Sequence, residues 1–263
     1  MALGSVLATA AAAQTPHEPV LVFAAYAGVI TGHQLWTVDR QPVCQLTGGS
    51  SGTFMCSTQY DTIALTRTVE SSLVAGLTMT YFPRRALGLQ FDVAYLGLPA
   101  NTRCSAVAVS SSPNQQLCDN IAAGPSGSSV AFDLGAVLRH PPGASSMSPY
   151  VRAGFGILAY SGSLVEVVGS FDQGANTYSR SVIADASPRH VSASLSLGGG
   201  LMVSLSPGYA FRLELRDVYT SLARVLGPAN DLGVAPTGTQ SYHHLLLTMG
   251  LGVVLEQKRG RRY

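Results

Sequence analysis

The sequence predicts an all-β fold: an eight-stranded antiparallel up-and-down transmembrane β-barrel with long extracellular loops and short periplasmic turns. Residues 191–205 and 209–219 alternate apolar side chains with small or charged ones at every second position. A period of two is that of a β-strand, whose successive side chains point to opposite faces. An apolar face opposite a polar one is typical of a strand between lipid and a polar lumen.

The composition favours a membrane barrel over an ordinary soluble domain. Charged residues make up 11% of the 263-residue chain, against roughly 25% in soluble domains. No run of 18 or more apolar residues occurs, so the sequence contains no candidate for a transmembrane helix. The formal net charge of +2 comes without a basic face, and no nucleic-acid partner is expected.

Six further segments show the same alternation, and the connections between segments alternate between long and short. These segments are residues 20–36, 69–81, 86–98, 130–139, 150–160 and 245–256. Eight strands then give four long loops and three tight turns, the asymmetry of outer-membrane barrels. An even number of strands puts both termini on the side of the turns. The sequence therefore predicts a bacterial outer-membrane location with both termini in the periplasm.

Aromatic residues mark both ends of the predicted apolar face. Tyr81, Tyr209 and Phe211 fall near the turns, and Tyr95 and Tyr219 fall near the long loops. These positions match two interfacial belts, where each ring is buried in lipid and each hydroxyl stays hydrated. General enrichment of aromatic residues in β-strands is the alternative explanation.

Two stretches carry a resemblance to a known family. Residues 148–156 read SPYVRAGFG, and a triple glycine at 198–200 precedes RLELR at 212–216. With the pattern of nearly the whole chain, these stretches resemble the eight-stranded outer-membrane barrels of the outer-membrane-protein A and X type. One departure is the last strand, which ends near Glu256, whereas Tyr263 follows a basic tail.

Three segments make up the expected organisation. Residues 1–13 are small and apolar and end in three alanines, which resembles the end of a signal peptide without its basic first part. Residues 14–257 form the barrel, and residues 258–263 form a basic tail. We expect the tail to be solvated, with contact to anionic headgroups as the alternative.

The four cysteines fit an exported protein, because disulfides persist in oxidising compartments. Four cysteines allow three connectivities, and the sequence does not select one. We favour Cys44–Cys56 and Cys104–Cys118, since each closure is short and lies within one predicted loop. Unpaired thiols are the alternative. No spacing typical of a metal site accompanies these residues.

Ionisable residues on the polar face form a predicted lumen network. They are Asp92, Asp133, Arg139, Arg152, Arg212, Glu214, Arg216 and Glu256. An eight-stranded barrel is only wide enough for side chains to fill it, so charges inside must pair. We expect a plugged interior, and a narrow gated pore or proton path is the alternative.

One pair of residues resembles a catalytic motif. Outer-membrane lipid A deacylases carry a His-x-Ser pair, which His190 and Ser192 match. A histidine can activate the serine for acyl transfer when a carboxylate orients it. The residue after Ser192 is Ala193, and Glu214 lies toward the far end of the next strand. A polar pair at the start of a strand is therefore the favoured interpretation.

We expect a non-enzymatic protein with a structural or interaction role, without a cofactor or metal. Outer-membrane lipid and lipopolysaccharide are its expected partners, with another envelope or surface protein as a further candidate. The alternatives are a lipid-modifying enzyme of the lipid A deacylase type, a narrow gated pore, and a soluble lipocalin-like ligand-binding barrel. The last of these would carry its leucines inside and its charges outside.

Overall fold

The computed structural model describes residues 19–48, 54–97, 99–121, 128–140, 146–206 and 208–256. Its elements are β1 (Val20–Ile30), β2 (His33–Gly48), β3 (Phe54–Val69), β4 (Ser72–Phe82), β5 (Leu87–Leu96), β6 (Ala100–Ala108), α1 (Ser112–Ile121), β7 (Ser129–Arg139), β8 (Met147–Tyr160), β9 (Val167–Gln173), β10 (Asn176–Ile183), β11 (Val191–Ser206), β12 (Tyr209–Val225) and β13 (Thr237–Glu256). The predicted signal remnant at 1–13 and the basic tail at 258–263 lie outside the described residues. Within those ranges, no helix is both long enough and apolar enough to cross a membrane.

Eight strands close into one antiparallel barrel, which confirms the predicted fold. Around the ring their order is β1, β13, β12, β11, β8, β7, β5 and β4. The strand β1 closes the ring by pairing on both sides, with Val20 opposite Phe82 on β4 and opposite Glu256 on β13. A closed ring leaves no strand edge unpaired. Val20 and Glu256 consequently lie at the same end of the barrel.

Short connections lie at one end of the barrel and long ones at the other. We call the end with the β4–β5, β7–β8 and β11–β12 connections the turn end, and the opposite end the loop end. In the β11–β12 turn, Gly208 has a φ of +89°, a conformation that costs glycine little because it lacks a Cβ atom. Val20 and Glu256 belong to the turn end.

The predicted strand over residues 20–36 is wrong beyond Ile30. The chain turns at Thr31 and Gly32, and a separate strand begins at His33. A Cβ atom at position 32 would lie 2.2 Å from the carbonyl oxygen of Val69, so this close approach of two segments requires glycine. Val69 itself ends β3 rather than starting the predicted strand 69–81.

The long connections fold into a cap over the loop end, where the sequence predicts only polar segments. The strands β2, β3 and β6 form a three-stranded sheet, β9 and β10 form a hairpin, and α1 contacts both β6 and β9. We call these elements and residues 226–236 the cap. Its apolar core continues into the barrel mouth and includes Trp36, Ile63, Leu65, Leu117, Ile121, Phe171 and Ile183 from the cap and Ile30, Leu96, Leu158 and Leu246 from the barrel.

Both predicted disulfides are present, and both lie in the cap. The bond between Cys44 and Cys56 joins β2 to β3, and the bond between Cys104 and Cys118 joins β6 to α1. Each bond closes a short loop, with sequence separations of 12 and 14 residues. The second bond attaches the helix covalently to the sheet.

A buried carboxylate fixes the start of α1. Asp61 on β3 is 1% exposed and accepts hydrogen bonds from the backbone N–H groups of Ser110 at 3.0 Å and Ser111 at 3.4 Å. The side-chain amide of Asn114 donates to the same carboxylate at 2.8 Å. The first N–H groups of a helix lack intrahelical partners, and the dipole favours negative charge there. Asp61 therefore links the sheet of the cap to its helix.

Candidate functional site

The outer surface of the barrel is apolar on all eight strands, and we call this surface the apolar belt. One exposed apolar side chain from each strand, in chain order, is Phe23, Leu77, Leu89, Leu134, Phe155, Leu197, Leu215 and Leu251. Leu77 is 65% exposed and Leu197 is 67% exposed. Soluble monomers rarely expose apolar patches larger than a few hundred Å², whereas lipid-facing strands require such a surface. The barrel is therefore a membrane-spanning one, and the lipocalin-like alternative, with its leucines inside, is excluded.

The five aromatic residues of the predicted belts all lie on strands of this surface. Tyr81, near the end of β4, and Tyr209, at the start of β12, are exposed at the turn end. Phe211 follows on β12 and is half-buried. Tyr95 and Tyr219 are exposed near the loop end. Aromatic side chains thus stand near both ends of the apolar surface.

Six of the predicted lumen residues meet inside the barrel in one network of ion pairs. At its centre, Arg152 on β8 is 1% exposed and forms ion pairs with three carboxylates. Its Nη1 atom lies 3.6 Å from Asp92 Oδ2 and 3.4 Å from Glu214 Oε1, and its Nη2 atom donates to Asp133. Strand register explains the convergence, because Asp92 on β5 and Asp133 on β7 are directly opposed. Arg152 pairs with both carboxylates and so offsets the repulsion between their like charges.

Two further arginines from β12 complete the network. Arg216 Nη2 lies 3.2 Å from Asp92 Oδ2 and 2.7 Å from Glu214 Oε1, and Arg212 forms an ion pair with the other oxygen of Glu214. Positions 212, 214 and 216 share one face of the strand because side chains alternate. Three guanidinium groups thus meet three carboxylates, and their formal charges cancel. Pairing of this kind offsets the large cost of removing ions from water.

Two tyrosines extend the network, and glycines make room for them. Tyr26 donates to Asp92 at 2.8 Å, and Tyr150 donates to Glu214 at 2.7 Å. A Cβ atom at Gly76 would lie 2.5 Å from the Tyr26 ring, closer than real Cβ contacts. These polar residues therefore depend on small neighbours, which accounts for glycine on the lumen face of the strands.

Arg139, another predicted lumen residue, lies apart from this network. Arg139 is at the turn end, where its Nε atom donates to the Arg85 carbonyl at 2.9 Å and its guanidinium lies over the Phe82 ring at 3.7 Å. A guanidinium over an aromatic face is a favourable cation–π contact. Glu256 ends β13 opposite Val20, and its side chain is outside the described structure.

Apolar layers close the lumen above and below the ionised network. At the turn end, Val20, Val22, Phe82, Val137 and Tyr150 form one buried cluster. At the loop end, barrel residues merge with the core of the cap. A small cavity of about 30 Å³ lies between the network and this layer. The lumen thus holds paired ions at mid-height and an apolar cluster toward each end, with Arg139 packed on the cluster at the turn end, a layering that the sequence prediction missed.

The predicted pair of His190 and Ser192 does not form a catalytic arrangement. His190 is exposed before β11, and the Ser192 hydroxyl lies 3.4 Å from the hydroxyl of Tyr160. Glu214 pairs with Gly200, far down β11 from Ser192, and a strand rises about 3.3 Å per residue. The Glu214 carboxylate is also fully engaged by arginines. The structure therefore does not bring these three residues together.

Adjacent residues His243 and His244 point in opposite directions on β13. His243 is exposed and lies 2.8 Å from Asp217, whereas His244 is buried and lies 3.1 Å from the Thr220 hydroxyl. His244 also packs edge-on against His33 of the cap. No group of three or more potential metal ligands occurs in the ranges that the structure describes.

Comparison with known proteins gives matches at the level of structure only. No protein-family model matches the sequence, and no curated protein does. The outer membrane protein OprG from Pseudomonas aeruginosa is 12% identical, with 91% of this chain and 97% of that chain covered and a TM-score of 0.47. The outer membrane protein AlkL, solved in DMPC lipid bilayers, is 14% identical, with 95% and 96% covered and a TM-score of 0.44.

An enzyme is also among the similar structures. The outer membrane protease OmpT from Escherichia coli is 10% identical, with 92% of this chain and 98% of that chain covered and a TM-score of 0.38. Identities and scores in this range support no functional conclusion. The closed barrel itself is established by the strand pairing of the chain.

Proposed function

We propose that this protein is a non-enzymatic integral protein of a bacterial outer membrane, in which a filled barrel anchors a disulfide-bonded cap outside the cell. The observation that carries the proposal is the lumen, which ion pairs fill at mid-height and apolar clusters close at both ends. A pore requires a continuous polar path, which these layers interrupt. The barrel then serves as an anchor rather than as a channel.

The orientation of the barrel in the membrane follows from the unequal lengths of its connections. Barrels that span outer membranes have short turns in the periplasm and long loops outside, and the cap belongs to the loop end. Its two disulfides are compatible with this placement, since the cell exterior is oxidising, as the periplasm is. In this orientation both ends of the barrel chain, Val20 and Glu256, face the periplasm.

The cap is the part available for interaction. Lipid contacts the apolar belt, and the cap stands among the sugars of lipopolysaccharide, where it is also within reach of another envelope or surface protein. Residues on strands fixed by disulfides lose little conformational freedom on binding, which favours affinity. The cap therefore supplies a rigid surface for contacts outside the membrane.

Conductance of the purified full chain in planar bilayers tests the anchor role. Insertion is first verified by heat-modifiable gel migration, because folded barrels migrate differently before boiling. We expect no unitary conductance from inserted protein. Discrete channel openings would contradict the proposal and would favour the gated pore.

A further inference from the structure

A cavity lies at the junction of the cap and the barrel mouth. Its volume is about 320 Å³, within the usual size range of sites for small ligands. The apolar residues that line it include Leu158, Tyr160 and Leu222 from the barrel, Val69 and Ile121 from the cap, and Leu164 from the connection between β8 and β9. Ser161, Glu166 and Val168 also border it and are exposed, so the cavity is open to the outside.

One cation, Arg67, and one exposed carboxylate, Glu166 at the rim, line this otherwise mostly apolar space. Arg67 on β3 is partly buried, and burial lowers the pKa of its guanidinium from the ordinary value. Arginine nonetheless remains protonated at neutral pH. The cavity therefore contains a partly desolvated positive charge.

This cation has no anionic partner among the described residues. Arg67 donates through Nη1 to the Thr102 hydroxyl and through Nη2 to the Ser163 carbonyl at 3.3 Å, and both acceptors are neutral. Its Nε atom is buried without a hydrogen-bond partner. None of the ion pairs in the described ranges includes Arg67. Arginines buried in proteins are usually paired with an anion, as Arg152, Arg212 and Arg216 are in the lumen.

We propose that this cavity binds a small amphipathic carboxylate, with its apolar body against the lining and its carboxylate on Arg67. The free Nε–H can donate to the carboxylate, and a charge-assisted hydrogen bond of this kind is stronger than a neutral one. The inference goes beyond the proposed function, because a non-conducting anchor can have a binding cavity or lack one.

The chain contains its own reporter for this site. Trp36 is its single tryptophan, and its indole N–H donates to the carbonyl of Leu164, a lining residue, at 3.1 Å. Trp36 is also directly opposite Arg67 in the β2–β3 pairing. Ligand entry is therefore expected to change the fluorescence of Trp36.

The test is a fluorescence titration of the full chain in phosphatidylcholine vesicles with decanoate, and with decanol as the uncharged analogue. Protein-free vesicles correct for partitioning of the ligand into lipid. We expect decanoate to bind saturably and at least tenfold more tightly than decanol. Equal affinities, or a signal that never saturates, would overturn the proposal.

Variants assign the effect to Arg67. R67Q is expected to weaken decanoate binding at least tenfold and to leave decanol binding unchanged, whereas R67K keeps the preference for decanoate. R103Q is the matched control, because Arg103 is an exposed arginine on the same sheet, and it is expected to bind like the wild type. Wild-type affinity of R67Q for decanoate would overturn the proposal. If R67Q fails to fold, the comparison of decanoate with decanol in the wild-type protein decides whether the cavity prefers a carboxylate.

A lipid source of the anion is tested separately. Phosphatidylglycerol in the vesicles supplies an anionic headgroup that can compete for Arg67. Unchanged decanoate affinity supports a free amphipathic carboxylate as the ligand. Loss of the decanoate signal in these vesicles would overturn that assignment in favour of a lipid headgroup.

Discussion

At the scale of single residues, the interior of the barrel depends on charge balance. Glu214 contacts Arg152, Arg212 and Arg216 and also accepts a hydrogen bond from Tyr150. Removal of one member of a buried ion pair leaves the other charges uncompensated, which costs more than the pair itself contributes. Removal of the Glu214 charge therefore leaves three buried arginines short of a partner.

We predict that E214Q lowers the free energy of unfolding by about 3–5 kcal/mol. The measurement is denaturant unfolding in lipid vesicles, followed by the gel mobility of the folded barrel. D39N, which removes an exposed carboxylate of the cap, is the matched control and is expected to change little. An E214Q protein as stable as D39N would show that the network contributes no net stability.

Close packing against glycine gives a second prediction at this scale. In G76A the new methyl group would lie 2.5 Å from the Tyr26 ring and 2.6 Å from the Val93 carbonyl oxygen. Overpacking of this kind typically costs about 1–3 kcal/mol, so G76A should unfold at a lower denaturant concentration. G162A is the control, because a Cβ atom there meets no atom within 4 Å. Equal midpoints for the two variants would contradict the packing argument.

At the scale of elements, the barrel strands were predictable and the cap elements were not. The barrel strands show a period of two over most of their length, because one face meets lipid and the other meets the lumen. In the cap, the β2–β3 pairing contains three register shifts that interrupt this period. The helix α1 reads SPNQQLCDNI and buries only Asn114, Leu117, Cys118 and Ile121, too few apolar positions to reveal a helix.

The lumen network and the cavity were likewise only partly predictable from the sequence. Alternation places Asp92, Asp133 and Glu214 on the lumen face, but it does not determine which arginine meets which carboxylate. That pairing depends on the relative stagger of strands far apart in sequence. Arg67 could not be predicted as a cavity residue, since its neighbours are Thr102 on β6 and Ser163 between β8 and β9, both distant from it in sequence.

The contact between Asp61 and α1 gives a prediction for the pH dependence of the cap. Burial raises the pKa of Asp61. Hydrogen bonds from Ser111, Ser110, Asn114 and Gln45 lower that pKa by a larger amount, so the net shift is downward. An ordinary aspartate in the unfolded chain titrates at about 3.9. A lowered folded-state pKa stabilises the cap above that pH, and the contribution is lost as the pH falls below it.

Amide hydrogen exchange of α1 measures this effect. In the wild type, protection of α1 should be constant above about pH 5 and should fall, after correction for intrinsic exchange, toward pH 2. D61N should show lower protection at neutral pH and a weaker dependence on pH. Wild-type protection that stays constant down to pH 2 would contradict the role assigned to Asp61.

At the scale of the whole molecule, three layers account for the architecture. An apolar belt surrounds a core of paired ions, and a disulfide-bonded cap with its own apolar core closes one end. Each layer is suited to different surroundings. The apolar belt faces lipid, the ionised side chains of the lumen face one another, and the cap faces water. The central claim is that the leucines of the barrel face lipid.

Spin labels at added cysteines test that claim most directly. Labels at Leu77 and Leu215 stand on the belt, and a label at the exposed Gln173 of β9 serves as the water reference. In reconstituted vesicles, oxygen dissolved in lipid should relax the belt labels more strongly than a water-soluble nickel chelate does, and the label at Gln173 should show the reverse. Belt labels that respond to the nickel chelate as strongly as the label at Gln173 would contradict the account.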